Sequence, residues 1–373
     1  MSLKIGNIFG VSINIHYSLL LIFFLIVWSL ALGYMPTNYP GLSGISYWTI
    51  GLISGLLLIV SVIIHELCHS VVARRLGIPV KRITLFFLGG AAELPEEPPS
   101  PSVEFKMAVA GPLSSFIIAS ILCSLWYIFQ KGSFPRELIA ITQYGAYLNL
   151  ILGAFNLLPA FPLDGGRIFR SILWRRKGSL IKATRRSTSV GVGISYLMMF
   201  GGFLIMIFGG FFNGLWIIFI GWFIKTSAES GLSQTIISQV LAKTNVSEIM
   251  SSNIVTINSD LTIDDLVHDY FLKMRFAGYP VMENGSLVGM VTMDRIKNIS
   301  QSQWKKLTIK DVIKPSKDLV IVEPEMTASD VMFQMSKKEE GRALVMRNNQ
   351  LVGIISRKDL THLINVRLQL EKM

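Results

Sequence analysis

The chain has 373 residues, of which 51% are hydrophobic and only 16% are charged. Its mean hydropathy of +0.51 and its 22 Phe residues provide more apolar surface than a water-soluble core could bury, which excludes a disordered, fibrous or wholly soluble protein. Residues 1–230 carry 17 Lys or Arg against 8 Asp or Glu, whereas the remainder carries 18 against 16. We therefore expect the first part of the chain to lie in a membrane.

Six apolar stretches are long enough to cross a bilayer, which takes about 20 helical residues. They lie near residues 17–34, 49–73, 107–129, 138–158, 188–208 and 212–228. Basic residues follow the second, fourth and sixth stretches, and we interpret eight cations between residues 167 and 186 as one basic loop. The positive-inside rule then places the N-terminus and the tail in the cytosol. The sequence predicts a multi-pass protein of the cell membrane, in contact with the lipid bilayer. Nucleic-acid binding is not expected, because no basic stripe interleaved with aromatic residues occurs.

Residues 80–93, between the second and third stretches, read VKRITLFFLGGAAE, a β-prone run that we expect to break at Gly89 and Gly90. One interpretation is a hairpin packed against the helices at membrane depth, since a hairpin exposed to lipid would leave backbone groups unpaired. An ordinary cytosolic loop is the alternative. In the hairpin interpretation both glycines are candidate substrate-binding positions, because an edge strand can pair with an extended peptide.

The C-terminal part contains an internal repeat. Gly289 corresponds to Gly353 and Thr292 to Ser356, at an offset of 64 residues. Each copy is an α/β unit too small to bury its hydrophobic face alone, so we expect the two copies to pack together. The predicted domains are a membrane domain at 1–230, a linker at 231–245, and repeats at 246–300 and 306–367.

The second apolar stretch ends in an H-E-x-x-H motif formed by His65, Glu66 and His69. On a helix, a spacing of four puts both imidazoles on one face, near enough to bind a single ion. Glu66 lies roughly 100° around the helix and can address a water molecule beside the metal. The motif lies roughly 14 Å inside the apolar layer, where ionisable groups normally face a bundle interior or a watery cavity. A proton relay or a hydrogen-bonded packing cluster is the alternative interpretation.

A hydrolytic zinc site needs a third protein ligand and one open position. The segment NLLPAFPLDGGR, residues 156–167, contains two prolines and two glycines, and we expect it to hold Asp164 in a non-helical turn. Asn156 could hydrogen-bond a substrate backbone or close a helix end. His16 is expected at the membrane interface rather than on the metal. The two cysteines lie in apolar stretches and indicate no disulfide framework.

Together, HELCH, the Gly-Gly segment, AGP at residues 110–112 and NLLPAFPLDGGR resemble the site-2 protease family of intramembrane zinc metalloproteases. The resemblance covers residues 1–230. It implies one Zn²⁺ per chain, held by His65, His69 and Asp164, with Glu66 as the catalytic general base and Asn156 near the substrate. The implied activity is endopeptidase cleavage of membrane-protein substrates in or near their transmembrane segments, as in regulated intramembrane proteolysis.

The tail resembles a pair of CBS modules, which implies a site for ATP or another adenine nucleotide and a possible homodimer. Ser356 and Asp359 match the residues that address phosphate and ribose in that family. Thr292 matches Ser356 in the first repeat, but Arg295 stands where the carboxylate would be. We therefore expect at most one good nucleotide site per pair. A dimerisation module without a ligand is the alternative.

The predicted fold class is a multi-domain chain: a polytopic α-helical membrane domain of six transmembrane helices with a small β-hairpin, plus a cytosolic α/β CBS pair. The alternative function is a CBS-regulated membrane transporter or channel, in which the intramembrane His and Glu side chains would form an ion path. A catalytically inactive scaffold is disfavoured, because all four proposed catalytic side chains are present.

Overall fold

The computed structural model describes residues 2–80, 82–86, 89–92, 97–274 and 276–370. The chain forms two compact units, Met1–Thr235 and Ile236–Met373. The predicted limits of the individual domains stay a prediction. Residues 231–243, which we predicted as part of a linker, lie in the helix Phe211–Lys243.

Six helical segments in the described chain are long and apolar enough to cross a membrane, which confirms the predicted fold class. The first comprises α1 (Ser18–Ser29), a π-helical turn at Leu30–Tyr34 and α2 (Met35–Asn38). The other five are α3 (Gly44–Arg75), α4 (Pro101–Lys131), α5 (Arg136–Asn156), α7 (Leu180–Phe208) and α8 (Phe211–Lys243). Serine side chains cap the starts of two of these helices. The Ser43 hydroxyl accepts a hydrogen bond from the N–H of Ser46 at the first turn of α3, and the Ser100 hydroxyl accepts one from the N–H of Val103 at the first turn of α4.

Helix α3 shows how these segments pack. Its buried face consists mainly of small and polar residues, namely Ile50, Gly51, Ser54, Gly55, Ser61, His65, His69, Ser70 and Ala73. Large apolar residues such as Leu52, Leu56 and Val60 are exposed on its other faces. This arrangement is typical of membrane helices, in which small residues allow close helix contacts and apolar side chains face lipid.

A four-stranded sheet has the order β1 (Ser2–Ile8), β2 (Val11–His16), β3 (Arg82–Phe86) and β4 (Gly89–Ala92). Strands β3 and β4 pair antiparallel from Ile83 with Ala92 to Phe86 with Gly89. The predicted pairing is therefore present, but Gly89 and Gly90 lie within β4 rather than at a break. Lys81, Phe87, Leu88 and Glu93 of the predicted hairpin lie outside the described residues. The pairing of residues 2–16 into this sheet was not predicted.

The predicted basic loop is wrong as a description of residues 167–186. Residues Asp164–Lys177 form the short helix α6, and Leu180 begins α7. Between them, Gly178 adopts a φ of 67°, a left-handed conformation that ends α6 at low cost. Asp164 is the first residue of α6 and not part of a non-helical turn, although the preceding residues 157–163 do interrupt the helices as expected.

The second unit contains two similar α/β repeats. The first comprises α9 (Val246–Ile249), β5 (Ile257–Asn258), α10 (Ile263–Asp265), a π-helical turn (Leu266–Phe271), α11 (Leu272–Met274), β6 (Gly278–Glu283), β7 (Ser286–Thr292) and α12 (Met293–Ile296). The second comprises α13 (Ile309–Val312), β8 (Lys314–Pro315), β9 (Ile321–Val322), α14 (Ala328–Lys337), β10 (Arg342–Arg347), β11 (Gln350–Ser356) and α15 (Arg357–Leu370).

The strand register repeats at the predicted offset. Gly278 pairs with Thr292 in the first copy, and Arg342 pairs with Ser356 in the second. There are two buried cores, and each includes the leading helix of the other copy: Val246 lies in the core of residues 320–360, and Ile309 lies in the core of residues 257–296. A further cluster joins Met290 of the first copy to Leu319 and Leu344 of the second. The two copies therefore bury apolar surface against each other, as their small size requires.

Candidate metal centre

The two histidines of the H-E-x-x-H motif lie on the buried face of α3. His65 is 3% exposed and His69 is 7% exposed. Their ring centroids are 4.9 Å apart, the separation that one helical turn produces. The local spacing in the sequence is thus enough to bring both imidazoles to one point.

The third side chain comes from a distant part of the chain. Asp164 is 8% exposed, and its Oδ2 lies 3.1 Å from Nε2 of His65 and 3.1 Å from Nε2 of His69. The ligand atoms of the three side chains all lie within 4.8 Å of one another. Two imidazole nitrogens and one carboxylate oxygen therefore face a common point.

The two glycines after Asp164 let the preceding loop fold back onto the start of α6. A Cβ at Gly165 would lie 2.1 Å from the carbonyl oxygen of Leu157, and one at Gly166 would lie 2.2 Å from the backbone N of Phe161. Any side chain at either position would push the loop away from the helix. The D-G-G sequence is therefore a packing requirement as well as a motif.

Both imidazoles are held from their other nitrogen by α4. Nδ1 of His65 lies 2.9 Å from the hydroxyl of Ser115, and Nδ1 of His69 lies 2.6 Å from the carbonyl oxygen of Met107. A carbonyl only accepts, so His69 donates from Nδ1 and keeps the Nε2 lone pair for the centre. This is the arrangement by which proteins orient metal-binding histidines.

The space beside the imidazoles exists because residue 111 is glycine. A Cβ at Gly111 would lie 2.1 Å from Nε2 of His69 and 2.6 Å from Nε2 of His65. Zinc binds histidine nitrogen at about 2.0–2.1 Å, and two tetrahedral ligands at that distance are about 3.3 Å apart. The observed 3.1 Å separations between nitrogen and oxygen, together with this pocket, fit a zinc ion held by three protein ligands.

Three other residues of the membrane unit were singled out by the sequence, namely Glu66, Asn156 and His16. Glu66 follows His65 on α3 and is partly exposed. Asn156 is the last residue of α5, and its Nδ2 donates to the Leu152 carbonyl at 3.0 Å, the helix-end alternative. His16 ends β2 and lies 2.8 Å from the Ser18 hydroxyl.

The predicted nucleotide residues lie at corresponding positions of the two repeats. Ser356 donates its hydroxyl to Asp359 at 2.6 Å. Thr292 precedes α12 in the first copy, where Asp294 pairs with Lys297 at 2.9 Å. The two copies therefore differ at this position, in line with the substitution of Arg295 for the carboxylate.

Sequence reasoning missed the groups that support the metal centre. Gly111 lies in the AGP motif, and Ser115 follows it closely. The motif contributed to the family resemblance, but the contacts of these two residues with the histidines were not predicted. No sequence pattern marks the contact made by the Met107 carbonyl, because every residue has a backbone carbonyl. Arg170 was predicted to belong to a basic loop, yet it is 3% exposed.

A buried pair of histidines one helical turn apart, with a carboxylate and an open position beside them, defines the class of zinc-dependent hydrolytic sites. The sequence profile of peptidase family M50 matches residues 54–138 and 127–200, and that of the CBS domain matches residues 246–301 and 309–366.

The chain is also similar to individual proteins. A zinc metalloprotease of Methanocaldococcus jannaschii is 30% identical over 98% of this chain and 96% of its own. Stage IV sporulation protein FB of Bacillus subtilis is 30% identical over 32% of this chain and 41% of its own. The solved structure of a site-2 protease from M. jannaschii covers 62% of this chain and 94% of its own, at 32% identity and a TM-score of 0.44.

The chain therefore belongs to peptidase family M50, the site-2 protease family of zinc metalloproteases. It is a metallopeptidase with a tandem CBS pair, and its described residues include six helices able to span a membrane. The predicted family and enzyme class are confirmed.

Proposed function

We propose that this protein is an intramembrane zinc endopeptidase that hydrolyses peptide bonds in or near transmembrane segments of membrane-protein substrates. The observation that carries the proposal is the position of Asp164, whose Oδ2 lies 3.1 Å from Nε2 of both His65 and His69. These three side chains would hold one zinc ion per chain. When bound, the ion supplies a Lewis acid that polarises a peptide carbonyl and lowers the pKa of a water molecule towards 7.

The chain's own groups supply the remaining chemistry. Glu66 takes a proton from the attacking water and returns it to the leaving amine, as a general base and then a general acid. Ser115 and the Met107 carbonyl keep the two imidazoles oriented. Gly111 keeps the position beside them open for the reacting groups. We assign Asn156, at the end of α5, the role of binding the substrate backbone once its bond to the Leu152 carbonyl opens.

A transmembrane substrate presents a further difficulty, because its carbonyls are engaged in helical hydrogen bonds and the scissile segment must unwind. Strand β4 is an edge of the sheet, with β3 on one side only among the described strands. We assign it the role of pairing with the unwound substrate, with Gly89 and Gly90 allowing close backbone approach. Paired in this way, the substrate regains the hydrogen bonds that it lost on unwinding.

The CBS pair regulates the protease in this proposal by binding ATP or another adenine nucleotide, with Ser356 and Asp359 in the better of the two sites. Thr292 belongs to the weaker site, because Arg295 stands where the carboxylate is needed. The N-terminus and the CBS pair lie in the cytosol, as the distribution of basic residues indicates. Two chains form a homodimer through their CBS pairs.

The decisive experiment replaces the general base and leaves the metal ligands in place. Glu66→Gln should abolish cleavage of a membrane-protein substrate by the purified full-length protein while about one zinc remains bound per chain. Glu229→Gln changes an exposed carboxylate on α8 and is the control, with activity unchanged. Unchanged cleavage by Glu66→Gln, or purified protein without zinc after metal loading, would contradict the proposal and favour a transporter instead.

A further inference from the structure

A buried ion pair lies on the helices that build the metal centre but takes no part in the proposed chemistry. Glu104 on α4 is fully buried, and Arg170 on α6 is 3% exposed. Nε of Arg170 donates to Oε1 of Glu104 at 2.6 Å, and its Nη2 contacts the same oxygen. An unpaired buried charge is costly, so each of these two side chains stabilises the other. The pair therefore ties α4 to α6.

These two helices carry the groups that assemble the centre. Glu104 lies one helical turn before Met107, whose carbonyl orients His69. Arg170 lies on α6, the helix that begins with Asp164. The ion pair thus links the helix that orients the imidazoles to the helix that delivers the carboxylate.

Arg170 also contacts the loop that precedes Asp164. Its guanidinium carbon lies 4.9 Å from the centroid of the Phe161 ring, a cation–π contact. Phe161 is 7% exposed. Its backbone lies against Gly166, at the first turn of α6. The loop before Asp164 is therefore in contact with the guanidinium group of a residue that belongs to the helix after it.

Helix α8 reaches the same side chains from another direction. A Cβ at Gly231 would lie 2.5 Å from Cε1 of Phe161. The Thr235 hydroxyl accepts a hydrogen bond from Nη1 of Arg170 at 3.4 Å and donates one to Oε1 of Glu97 at 2.8 Å. The other carboxylate oxygen of Glu97, Oε2, accepts a hydrogen bond from Nη2 of Arg170 at 3.3 Å. Residues 231 and 235 are four apart and so share one face of α8. A displacement of α8 would act on Arg170 and Phe161 together.

We propose that Arg170 is a positioning residue that holds Asp164 in place for the metal, and that α8 adjusts this position through Gly231 and Thr235. The inference rests on the proposed function, because it concerns a proposed zinc ligand. Arg170 acts through the loop and the helix on either side of Asp164. Helix α8 spans Phe211–Lys243, and Gly231 and Thr235 lie on it. Its face at residues 231–235 is therefore the point where movement of this helix would change metal binding.

Arg170→Lys tests the inference, because lysine keeps the charge that Glu104 needs but loses the planar fork and the ring contact. Full-length protein in detergent is measured for Zn²⁺ affinity by chelator competition and for the absorption spectrum of its Co²⁺ form, which reports ligand geometry. We expect the zinc dissociation constant to rise about 10-fold and the cobalt bands to shift. Arg176→Lys, an exposed residue on the same helix, should change neither.

Thr235→Val is a second variant that leaves the ion pair intact. We expect a weaker effect in the same direction, with Thr226→Val as control, because the Thr226 hydroxyl donates to carbonyls of its own helix. Wild-type zinc affinity and cobalt spectrum in Arg170→Lys would overturn the inference, even with a lower melting temperature, since a purely structural role affects stability alone. If Arg170→Lys does not fold, wild-type zinc affinity and a wild-type cobalt spectrum in Thr235→Val would overturn the inference instead. Absence of zinc from the metal-loaded wild type would instead refute the proposed function.

Discussion

Replacing Gly111 with alanine tests the position of the metal centre, because the new methyl group would enter the space that the ion needs. The added Cβ would lie 2.1 Å from Nε2 of His69 and 2.6 Å from Nε2 of His65. Both atoms belong to buried rings, and His69 is also held through Nδ1 by the Met107 carbonyl at 2.6 Å. The rings therefore have little freedom to withdraw.

The size of the effect follows from these distances. An ordinary carbon–nitrogen contact is about 3.5 Å, so the His69 ring would have to retreat by more than 1 Å from its 2.1 Å approach. Metal sites require their ligands within about 0.5 Å of the productive geometry. We expect the zinc dissociation constant of Gly111→Ala to rise at least about 100-fold, or about 2.7 kcal/mol, with proteolysis lost in parallel.

The assay is zinc content and affinity of the purified full-length protein, with thermal unfolding measured on the same samples. Gly193→Ala is the matched control, because Gly193 also lies within a long helix, α7, and a Cβ there meets no atom within 4 Å. It should bind zinc normally and unfold at the same or a higher temperature, since alanine favours helix over glycine by about 1 kcal/mol. Normal zinc binding and cleavage by Gly111→Ala would refute the placement of the ion between the two rings.

Two further predictions concern the support of the centre and the edge of the sheet. Ser115→Ala removes the hydroxyl 2.9 Å from Nδ1 of His65, and chelator competition should show zinc binding weakened about 10-fold. Ser120 is exposed on the same helix, so Ser120→Ala should bind zinc as tightly as the wild type. Equal zinc affinities in the two variants would contradict the orienting role of Ser115. Proline placed singly at Gly90 and at Ala91 should reduce cleavage in at least one variant with zinc retained, since one of two adjacent N–H groups faces the open edge. Wild-type cleavage rates in both would exclude substrate pairing at β4.

Features that depend on short-range pattern could be predicted. The four-residue spacing of His65 and His69 puts them on one face of any helix, and the structure shows that face buried. The six apolar segments follow from composition alone, because backbone groups in lipid must be satisfied within a helix. The offset of 64 residues between the repeats reappears in the strand register, where Arg342 occupies the position of Gly278.

Features that depend on a partner distant in the sequence could not be predicted. Arg170 was assigned to a basic loop because it lies among seven other cations, but it is buried against Glu104, 66 positions earlier. No local pattern marks that pairing. The pairing of β2 with β3 escaped prediction for the same reason, since it aligns Ser12 with Arg82 in a parallel pair.

The sequence by itself determined the chemical types at the metal centre and the division between lipid-facing and water-facing parts of the chain, because helical periodicity and hydrophobicity act over a few residues. Only the tertiary structure decided that Asp164 meets the imidazoles, that Gly111 leaves room beside them, and which cation is buried on the helix of Asp164. Those outcomes depend on the packing of α3, α4 and α6, and packing between helices is a property of whole surfaces that no short segment encodes.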